Sequence, residues 1–309
     1  MKLAFVFPGQ GSQSVGMLSS FDDPAVSRTL DRASAALGQD IGSLIANGPA
    51  EDLNLTVNTQ PAMLVAGLAI YEAWRSAGGA SPALVAGHSL GEYTALTAAG
   101  ALSLEDAVRL VRFRASAMQE AVPVGVGAMA AIIGLSDEDV SRACMTAADG
   151  EVVQAVNFNA PSQVVIAGHR AAVERACTAA KQLGAKRALV LPVSAPFHSS
   201  LLQPAAERLQ AYLATVPIKT PTIPLINNVD VAIENDPARI ADALARQAAG
   251  PVRWVEIVRS LTSQGVTHVV ECGPGRVLAG LTRRIAPELE SLAIFDAESL
   301  KEALAATAG

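Results

Sequence analysis

The feature that most constrains the fold is a change of rhythm in the middle of the chain. Residues 127–192 read as strand, helix, strand, strand, helix and strand. This βαββαβ order is typical of a ferredoxin-like unit. Ser136, followed three residues later by Asp139, predicts the start of the first helix, and Gly184 predicts the end of the second. The sequence therefore predicts a small ferredoxin-like domain over residues 127–192.

The chain on either side of this unit follows a different pattern. Four apolar runs there predict strands: Leu3–Phe7, Ala83–Gly87, Leu225–Val229 and Thr267–Cys272. Helical stretches alternate with these strands, and Pro251 predicts the start of one of the helices. Such alternation is typical of an α/β fold with a parallel sheet. We expect one large α/β-hydrolase-like domain, residues 1–126 and 193–309, interrupted by the smaller domain.

Composition excludes several classes of protein. A formal net charge of −6 argues against a nucleic-acid binder. No apolar run approaches the roughly 20 residues of a membrane-spanning helix, and the N-terminal run is too short for a signal peptide. Three cysteines without a C-x-x-C pair indicate neither a disulfide framework nor a zinc site. We expect a cytoplasmic protein that uses no metal.

The acidic balance still allows an acidic protein partner, provided that the surface has a local basic patch. Two groups of basic residues are candidates: Arg276, Arg283 and Arg284, and Lys181, Lys186 and Arg187. Ordinary solvated charges remain the alternative interpretation of each residue.

Residues 87–91 match the pattern G-x-S-x-G, placed after an apolar strand and before a helix. In this context the pattern predicts a strained turn that exposes the hydroxyl of Ser89. The backbone N–H of Leu90, at the start of the helix, would then point to where an oxyanion forms. A serine that merely caps a helix is the structural alternative.

A serine nucleophile needs a base, and the chain has four histidines. His268 lies in an apolar strand, and His169 ends a strand of the small domain. His88 directly precedes Ser89, so its side chain should point away from the hydroxyl. His198 follows a proline-rich loop where the chain leaves the small domain, and it is the predicted base.

The helix that begins near Ser103 carries an arginine on its apolar side. At about 100° per residue, Arg114 projects into that apolar face, whereas Arg109 and Arg112 lie opposite. No acidic residue stands three or four positions from Arg114, so a buried guanidinium needs a carboxylate from elsewhere. A distant Asp or Glu and a substrate carboxylate are both open.

The loop of residues 9–13, Gly-Gln-Gly-Ser-Gln, follows the first strand. A dinucleotide fingerprint is one interpretation, but Ser14 stands where the third glycine belongs and no P-loop lysine follows. Small residues with free backbone N–H groups also serve as half of an oxyanion hole. An α/β-hydrolase would add an acid between Ser89 and His198, and none stands in an obvious loop there. A neutral group is therefore a candidate for the third member of the site, beside Ser89 and His198.

Taken together, these pieces resemble the malonyl-CoA:acyl carrier protein transacylases of fatty-acid synthesis. The resemblance covers nearly the whole chain and rests on seven segments: 7–13, 59–62, 87–93, 157–168, 192–198, 247 with 251–254, and 271–275. It implies six site residues: Ser89 as nucleophile, His198 as base, Arg114 as clamp for the malonyl carboxylate, the backbone N–H groups of Gln10 and Leu90 as oxyanion hole, and the backbone carbonyl of Gln247 as the group that orients His198.

The resemblance implies a ping-pong reaction. Ser89 takes malonyl from malonyl-CoA, and the phosphopantetheine thiol of the acyl carrier protein collects it. We further expect the carrier protein to be acidic and the enzyme to be a monomer without a cofactor. Three alternatives remain: a discrete acyltransferase for a polyketide synthase or a malonate decarboxylase, a serine esterase or thioesterase, and an inactive module that binds carrier protein.

Overall fold

The structure is a computed structural model and describes residues 1–308. Its first part runs as β1 (Leu3–Phe7), α1 (Pro24–Leu37), α2 (Ile41–Asn47), α3 (Ala50–Leu53), α4 (Thr56–Ser76), β2 (Leu84–Gly87), α5 (Gly91–Ala98) and α6 (Leu104–Ala121). The first predicted strand has its predicted bounds, and the second begins one residue later than expected.

The middle of the chain has the predicted order of elements. It contains β3 (Gly127–Ile133), α7 (Asp137–Ala147), β4 (Val153–Ala160), β5 (Gln163–His169), α8 (Arg170–Gln182) and β6 (Arg187–Val190). Ser136 caps α7 as expected, because its hydroxyl accepts the N–H of Asp139 at 3.1 Å. The four strands form one antiparallel sheet in the order β4-β5-β3-β6.

The last part begins with a short 3₁₀ turn, Ser200–Leu202. It continues with α9 (Gln203–Leu213), β7 (Leu225–Ile226), α10 (Pro237–Ala248), α11 (Trp254–Ser263), β8 (His268–Cys272), α12 (Val277–Ile285), β9 (Glu290–Ile294) and α13 (Ala297–Thr307). None of the helices in the described residues is long and apolar enough to cross a membrane.

The strand expected from Thr267 begins one residue later, at His268, and two further sequence predictions in this last part need correction. The strand expected to reach Val229 ends at Ile226, because the side chain of Asn227 accepts the N–H of Asp230 at 2.8 Å and turns the chain. The helix expected from Pro251 begins instead at Trp254. Val252 first exchanges backbone hydrogen bonds with β4, at 2.8 and 3.0 Å, and this pairing keeps the chain extended.

The large sheet has the order β7-β2-β1-β8-β9, and all its neighbouring pairs are parallel. This confirms the predicted α/β fold with a parallel sheet. The neighbouring inner strands β1 and β2 are buried along their whole length, as expected for a sheet covered on two faces. Phe5 of β1 packs edge-on against Tyr71 and Trp74 of α4 at 5.5 and 5.3 Å. Because β1 and β2 are parallel neighbours, their carboxyl ends lie side by side.

Candidate active site

The turn between β2 and α5 holds Ser89 in a left-handed conformation, with φ of 52°. Such a backbone is uncommon for a residue with a side chain and persists only where the surroundings enforce it. Here Asn228 does so, since its side-chain carbonyl accepts the N–H of Ser89 at 2.7 Å. The amide group of Asn228 also donates to the carbonyl of Gly87 at 2.7 Å. One side chain thus braces the turn on both sides of the serine.

Both glycines of the turn are required by close backbone contacts. A Cβ atom on Gly91 would lie 1.9 Å from the carbonyl oxygen of Phe7, and one on Gly87 would lie 1.9 Å from the backbone of Gly91. Real Cβ atoms do not approach backbone so closely. The glycines therefore allow the start of α5 to rest directly on the end of β1.

Replacing Gly91 with alanine is expected to lower the free energy of unfolding by about 1–3 kcal/mol or more, because the backbone of α5 must move away from β1. Gly280 is the matched control, since a Cβ there meets no atom within 4 Å. Because Gly280 lies inside α12, alanine should stabilise the protein by about 0.5–1 kcal/mol. Urea denaturation curves give both values, and equal effects of the two changes would contradict the packing argument.

Ser89 and His198 form a hydrogen-bonded pair. The hydroxyl of Ser89 lies 2.7 Å from Nε2 of His198, and Nδ1 of His198 lies 2.9 Å from the backbone carbonyl of Gln247. Because a carbonyl only accepts, Nδ1 carries the proton and Nε2 is free to accept the proton of Ser89. The neutral third group left open by the sequence is thus the carbonyl at the end of α10.

Burial keeps His198 neutral. The side chain is 4% exposed, and loss of hydration is the main cause that lowers its pKa from 6.5 to about 3. The nearby cation of Arg114 lowers this pKa further, whereas the hydrogen bond to the carbonyl of Gln247 opposes the change. The imidazole therefore has its base form over the whole neutral range.

The rate of acyl loading on Ser89 is expected to stay on a plateau as the pH falls from about 8 to about 5, because His198 protonates only near pH 3. Glu92 also titrates in this range, since burial raises its pKa to about 7. Single-turnover rates should therefore be compared in wild type and Glu92→Gln, with circular dichroism as the check of folding. A fall with a midpoint near 6.5 that persists in Glu92→Gln would contradict the low pKa of His198.

Arg114 of α6 points inward, as the helical period predicts, and is 1% exposed. Its guanidinium donates to the side-chain carbonyls of Gln60 at 2.7 Å and Gln247 at 3.0 Å, and to the hydroxyl of Ser89 at 3.2 Å. It also lies over the ring of Tyr93, 5.2 Å from the centroid. Among residues 1–308, no carboxylate forms an ion pair with it. The hydrogen-bond partners of this buried cation are thus all neutral, and the buried carboxyl of Glu92 acts on it only through space, by raising the pKa of Arg114 against the larger effect of burial.

Glu92 is a buried acid that the residue-by-residue sequence reasoning did not single out. Its carboxylate accepts the backbone N–H of Asn228 at 3.0 Å and the amide group of Gln247 at 2.9 Å. The same amide group donates to the carbonyl of Ser89 at 2.9 Å. Glu92 and Gln60 both stand inside segments of the resemblance, and this is the signal that could have found them. Asn228 carries no such signal.

The two predicted oxyanion donors lie at neighbouring turns. Leu90 directly precedes α5, and Gln10 follows β1 in a loop that packs against the serine turn, since a Cβ on Gly9 would lie 2.8 Å from the carbonyl oxygen of His88. Within the described part of the chain, neither backbone N–H has a protein acceptor. Both are therefore free to donate to a ligand.

The other histidines lie away from the serine hydroxyl. His88 points toward the small domain, where Nε2 lies 2.8 Å from the side-chain carbonyl of Asn159. Nε2 of His268 lies 3.2 Å from the carboxylate of Glu290 at the edge of the large sheet. His169 accepts a backbone N–H within the small domain. Of the four histidines, His198 is therefore the one whose ring contacts the hydroxyl of Ser89, and its role as base stays a prediction.

No cluster of three or more potential metal ligands of the His, Cys, Asp or Glu type occurs in residues 1–308. The three cysteines, Cys144, Cys177 and Cys272, are buried free thiols. Burial raises the pKa of each of them, so that they remain uncharged at neutral pH.

Comparisons with known proteins agree along the whole chain. The model of the acyl transferase domain family matches residues 4–293. The malonyl CoA-acyl carrier protein transacylase of Salmonella typhimurium is 54% identical over 305 residues, which are 98% of this chain and 99% of that protein.

Solved structures are similar in fold as well as in sequence. The crystal structure of an acyl-carrier-protein S-malonyltransferase from Burkholderia pseudomallei has a TM-score of 0.97 and 66% identity, covering 99% of this chain and 100% of the other. A malonyl-transacylase solved with its type II PKS acyl-carrier protein has a TM-score of 0.98 and 51% identity, with coverage of 99% and 100%.

Proposed function

The chain belongs to the acyl transferase domain family, and on this premise we propose that it moves malonyl from malonyl-CoA to the phosphopantetheine thiol of an acyl carrier protein. The observation that carries the proposal is a buried guanidinium without an ion-pair partner in residues 1–308, 3.2 Å from the hydroxyl of Ser89. A serine and a histidine alone would fit many hydrolases. The unpaired cation selects an acyl group that carries its own carboxylate.

In the first half of the reaction, Ser89 attacks the thioester carbonyl of malonyl-CoA while Nε2 of His198 takes the hydroxyl proton. The carbonyl oxygen becomes an oxyanion, which accepts hydrogen bonds from the backbone N–H groups of Gln10 and Leu90. Collapse of this intermediate breaks the carbon–sulfur bond and leaves malonyl esterified to Ser89. The departing sulfur takes the proton from His198 as free coenzyme A.

In the second half, the thiol of the carrier protein occupies the place of coenzyme A. His198 takes the thiol proton, the sulfur attacks the serine ester, and the oxyanion forms in the same hole. Collapse returns the proton to Ser89 and releases the malonyl thioester of the carrier protein. A thiolate leaves easily, so the carbonyl of Gln247 is sufficient to hold the histidine where a hydrolase uses a carboxylate. The proposed reaction needs no cofactor or metal.

Arg114 gives the site its selectivity. In the free enzyme its Nη2 atom donates to the hydroxyl of Ser89 and to Gln247. A malonyl group on Ser89 carries its carboxylate one methylene away from the ester carbonyl, within the region that the guanidinium faces. Two parallel N–H···O bonds from the guanidinium would then replace these two contacts of Nη2. An acetyl group has no atom to make them.

The test is the intact mass of the protein after incubation with malonyl-CoA, acetyl-CoA or methylmalonyl-CoA. We expect one malonyl adduct on wild type, none on Ser89→Ala, and an adduct on Ser263→Ala, where the lost hydroxyl only donates to the carbonyl of Ser260. The proposal is wrong if no malonyl adduct forms on wild type or if acetyl loads as readily as malonyl. Release of free malonate faster than transfer to carrier protein would favour an esterase.

Fatty-acid synthesis is the proposed destination of the malonyl group. A second candidate is a type II polyketide pathway, which is favoured by the similarity to a malonyl-transacylase in complex with a carrier protein of that class. Measuring kcat/KM with holo carrier proteins of both classes as acceptors distinguishes the two destinations.

We also propose that residues 1–126 and 193–309 form an α/β-hydrolase-like domain and that residues 127–192 form a ferredoxin-like domain. The parallel five-stranded sheet and the antiparallel order β4-β5-β3-β6 support these assignments. In this arrangement Ser89 belongs to the large domain, and His198 follows the point where the chain returns to it.

For the acidic carrier protein we propose docking on a local basic patch, by a monomeric, cytoplasmic enzyme. Lys181 and Arg187 of the small domain are exposed and support this role. The other group, Arg276, Arg283 and Arg284, is less suited, because two of its guanidinium groups already bind backbone carbonyls. Arg283 donates to the carbonyl of Ser291 at 2.8 Å, and Arg284 donates to the carbonyl of Pro161 at 3.1 Å.

A further inference from the structure

A series of hydrogen-bonded side chains, the relay, joins the buried arginine to the loop after β1. Arg114 donates to the side-chain carbonyl of Gln60 at 2.7 Å, and the amide group of Gln60 donates to the hydroxyl of Thr56 at 3.3 Å. The hydroxyl of Thr56 then donates to the side-chain carbonyl of Gln10 at 3.1 Å. Thr56 and Gln60 lie one turn apart at the start of α4 and are 4% and 0% exposed.

The direction of each hydrogen bond in the relay follows from the arginine. Because a guanidinium only donates, Gln60 must turn its carbonyl toward Arg114 and its NH₂ group toward Thr56. The oxygen of Thr56 accepts that bond, and its proton goes to Gln10. All bonds therefore point the same way, from the cation outward, and bonds in such an array polarise one another.

The two ends of the relay are the two parts of the proposed site. Arg114 faces the substrate carboxylate, and the backbone of Gln10 faces the oxygen of the reacting carbonyl. In the described residues, Thr56 is the only hydrogen-bond partner of the Gln10 side chain. Gln10 is otherwise exposed in a loop. The position of this oxyanion donor therefore depends on a hydroxyl that is itself aligned by Arg114 through Gln60.

We propose that Thr56 and Gln60 are positioning residues, which hold the N–H of Gln10 against the reacting carbonyl and couple it to carboxylate binding at Arg114. Neither residue touches the reacting atoms. The coupling makes one connected network contact both ends of the malonyl group, so part of the preference for malonyl is expressed in kcat. This inference rests on the proposed malonyl transfer.

The test uses two substitutions at one position. Thr56→Val removes the hydroxyl and keeps the shape of the side chain, whereas Thr56→Ser keeps the hydroxyl. We expect Thr56→Val to lower the acylation rate at saturating malonyl-CoA by about 10- to 100-fold, with little change in KM, because a transition-state donor is misplaced. Thr56→Ser should recover most of this rate.

Thr29→Val is the matched control. Thr29 is another buried helical threonine, and its hydroxyl donates to the carbonyl of Ala25 at 2.8 Å within α1. This variant should load at the wild-type rate even if its stability falls. The relay is wrong if Thr56→Val loads like wild type, or if Thr56→Ser is as slow as Thr56→Val.

A second readout separates failure of the relay from failure of the proposed function. If wild type does not load malonyl, the proposed function is wrong, but labelling of Ser89 by a fluorophosphonate still needs the oxyanion hole. Slower labelling of Thr56→Val than of Thr56→Ser supports the relay, and equal labelling overturns it. The coupling to Arg114 has a separate test. Thr56→Val should slow acyl loading by a smaller factor in an Arg114→Ala background than in wild type, and an equal factor in both backgrounds would overturn the coupling.

Discussion

Arg114→Ala is expected to lower kcat/KM for malonyl-CoA loading by about 30- to 5,000-fold. Loss of one partner from a buried charge pair costs about 2–5 kcal/mol, and each ~1.36 kcal/mol is tenfold in rate. Acetyl loading should fall much less, since acetyl has no carboxylate to lose. The ratio of malonyl to acetyl loading, measured by intact mass under single-turnover conditions, is the decisive quantity.

Two further variants distinguish recognition from support of the fold. Arg114→Lys keeps a positive charge but cannot make two parallel bonds, so it should load malonyl more slowly than wild type and faster than Arg114→Ala. Arg109→Ala, on the exposed side of the same helix, should behave like wild type. A malonyl preference that survives in Arg114→Ala would give the arginine a purely structural role.

His198→Ala is expected to slow loading of Ser89 by about 10²- to 10⁴-fold, because no other group takes the hydroxyl proton. The oxyanion donors and Arg114 remain, so binding of malonyl-CoA should persist while the chemical step is lost. Intact-mass measurements on samples quenched over a time course give the rate constant.

The control for this change is His268→Ala, since His268 contacts Glu290 at the edge of the sheet. It should load like wild type. Thermal unfolding of both variants shows whether the fold persists. If folded His198→Ala protein loads within a few-fold of wild type, another base serves Ser89, and the proposed dyad is wrong.

Local patterns account for part of the geometry of this site. The period of α6 was sufficient to turn Arg114 inward, because a helix repeats every 3.6 residues whatever it packs against. The two glycines around Ser89 marked a strained turn, since only a residue without Cβ allows the backbone contacts seen there, of Gly87 with Gly91 inside the turn and of Gly91 with Phe7 of β1. The resemblance supplied the backbone carbonyl at Gln247, which spacing alone did not reveal.

Other parts depend on contacts between distant segments. The helix expected at Pro251 starts later because Val252 pairs with β4, almost a hundred residues earlier in the chain. Asn228 braces the turn at Ser89 across a separation of 139 residues, and Glu92 meets the side chain of Gln247 across 155. No period or capping pattern within one segment carries information about such partners.

The sequence by itself determined the α/β class, the strand–turn–helix around Ser89 and the inward direction of Arg114. These follow from backbone sterics and side-chain periodicity, which act over a few residues. Only the tertiary structure decided that the hydrogen-bond partners of Arg114 are neutral groups, and that burial lowers the pKa of His198 to about 3. Burial and hydrogen bonding are properties of the packed site, because they depend on segments that folding brings together from all along the chain.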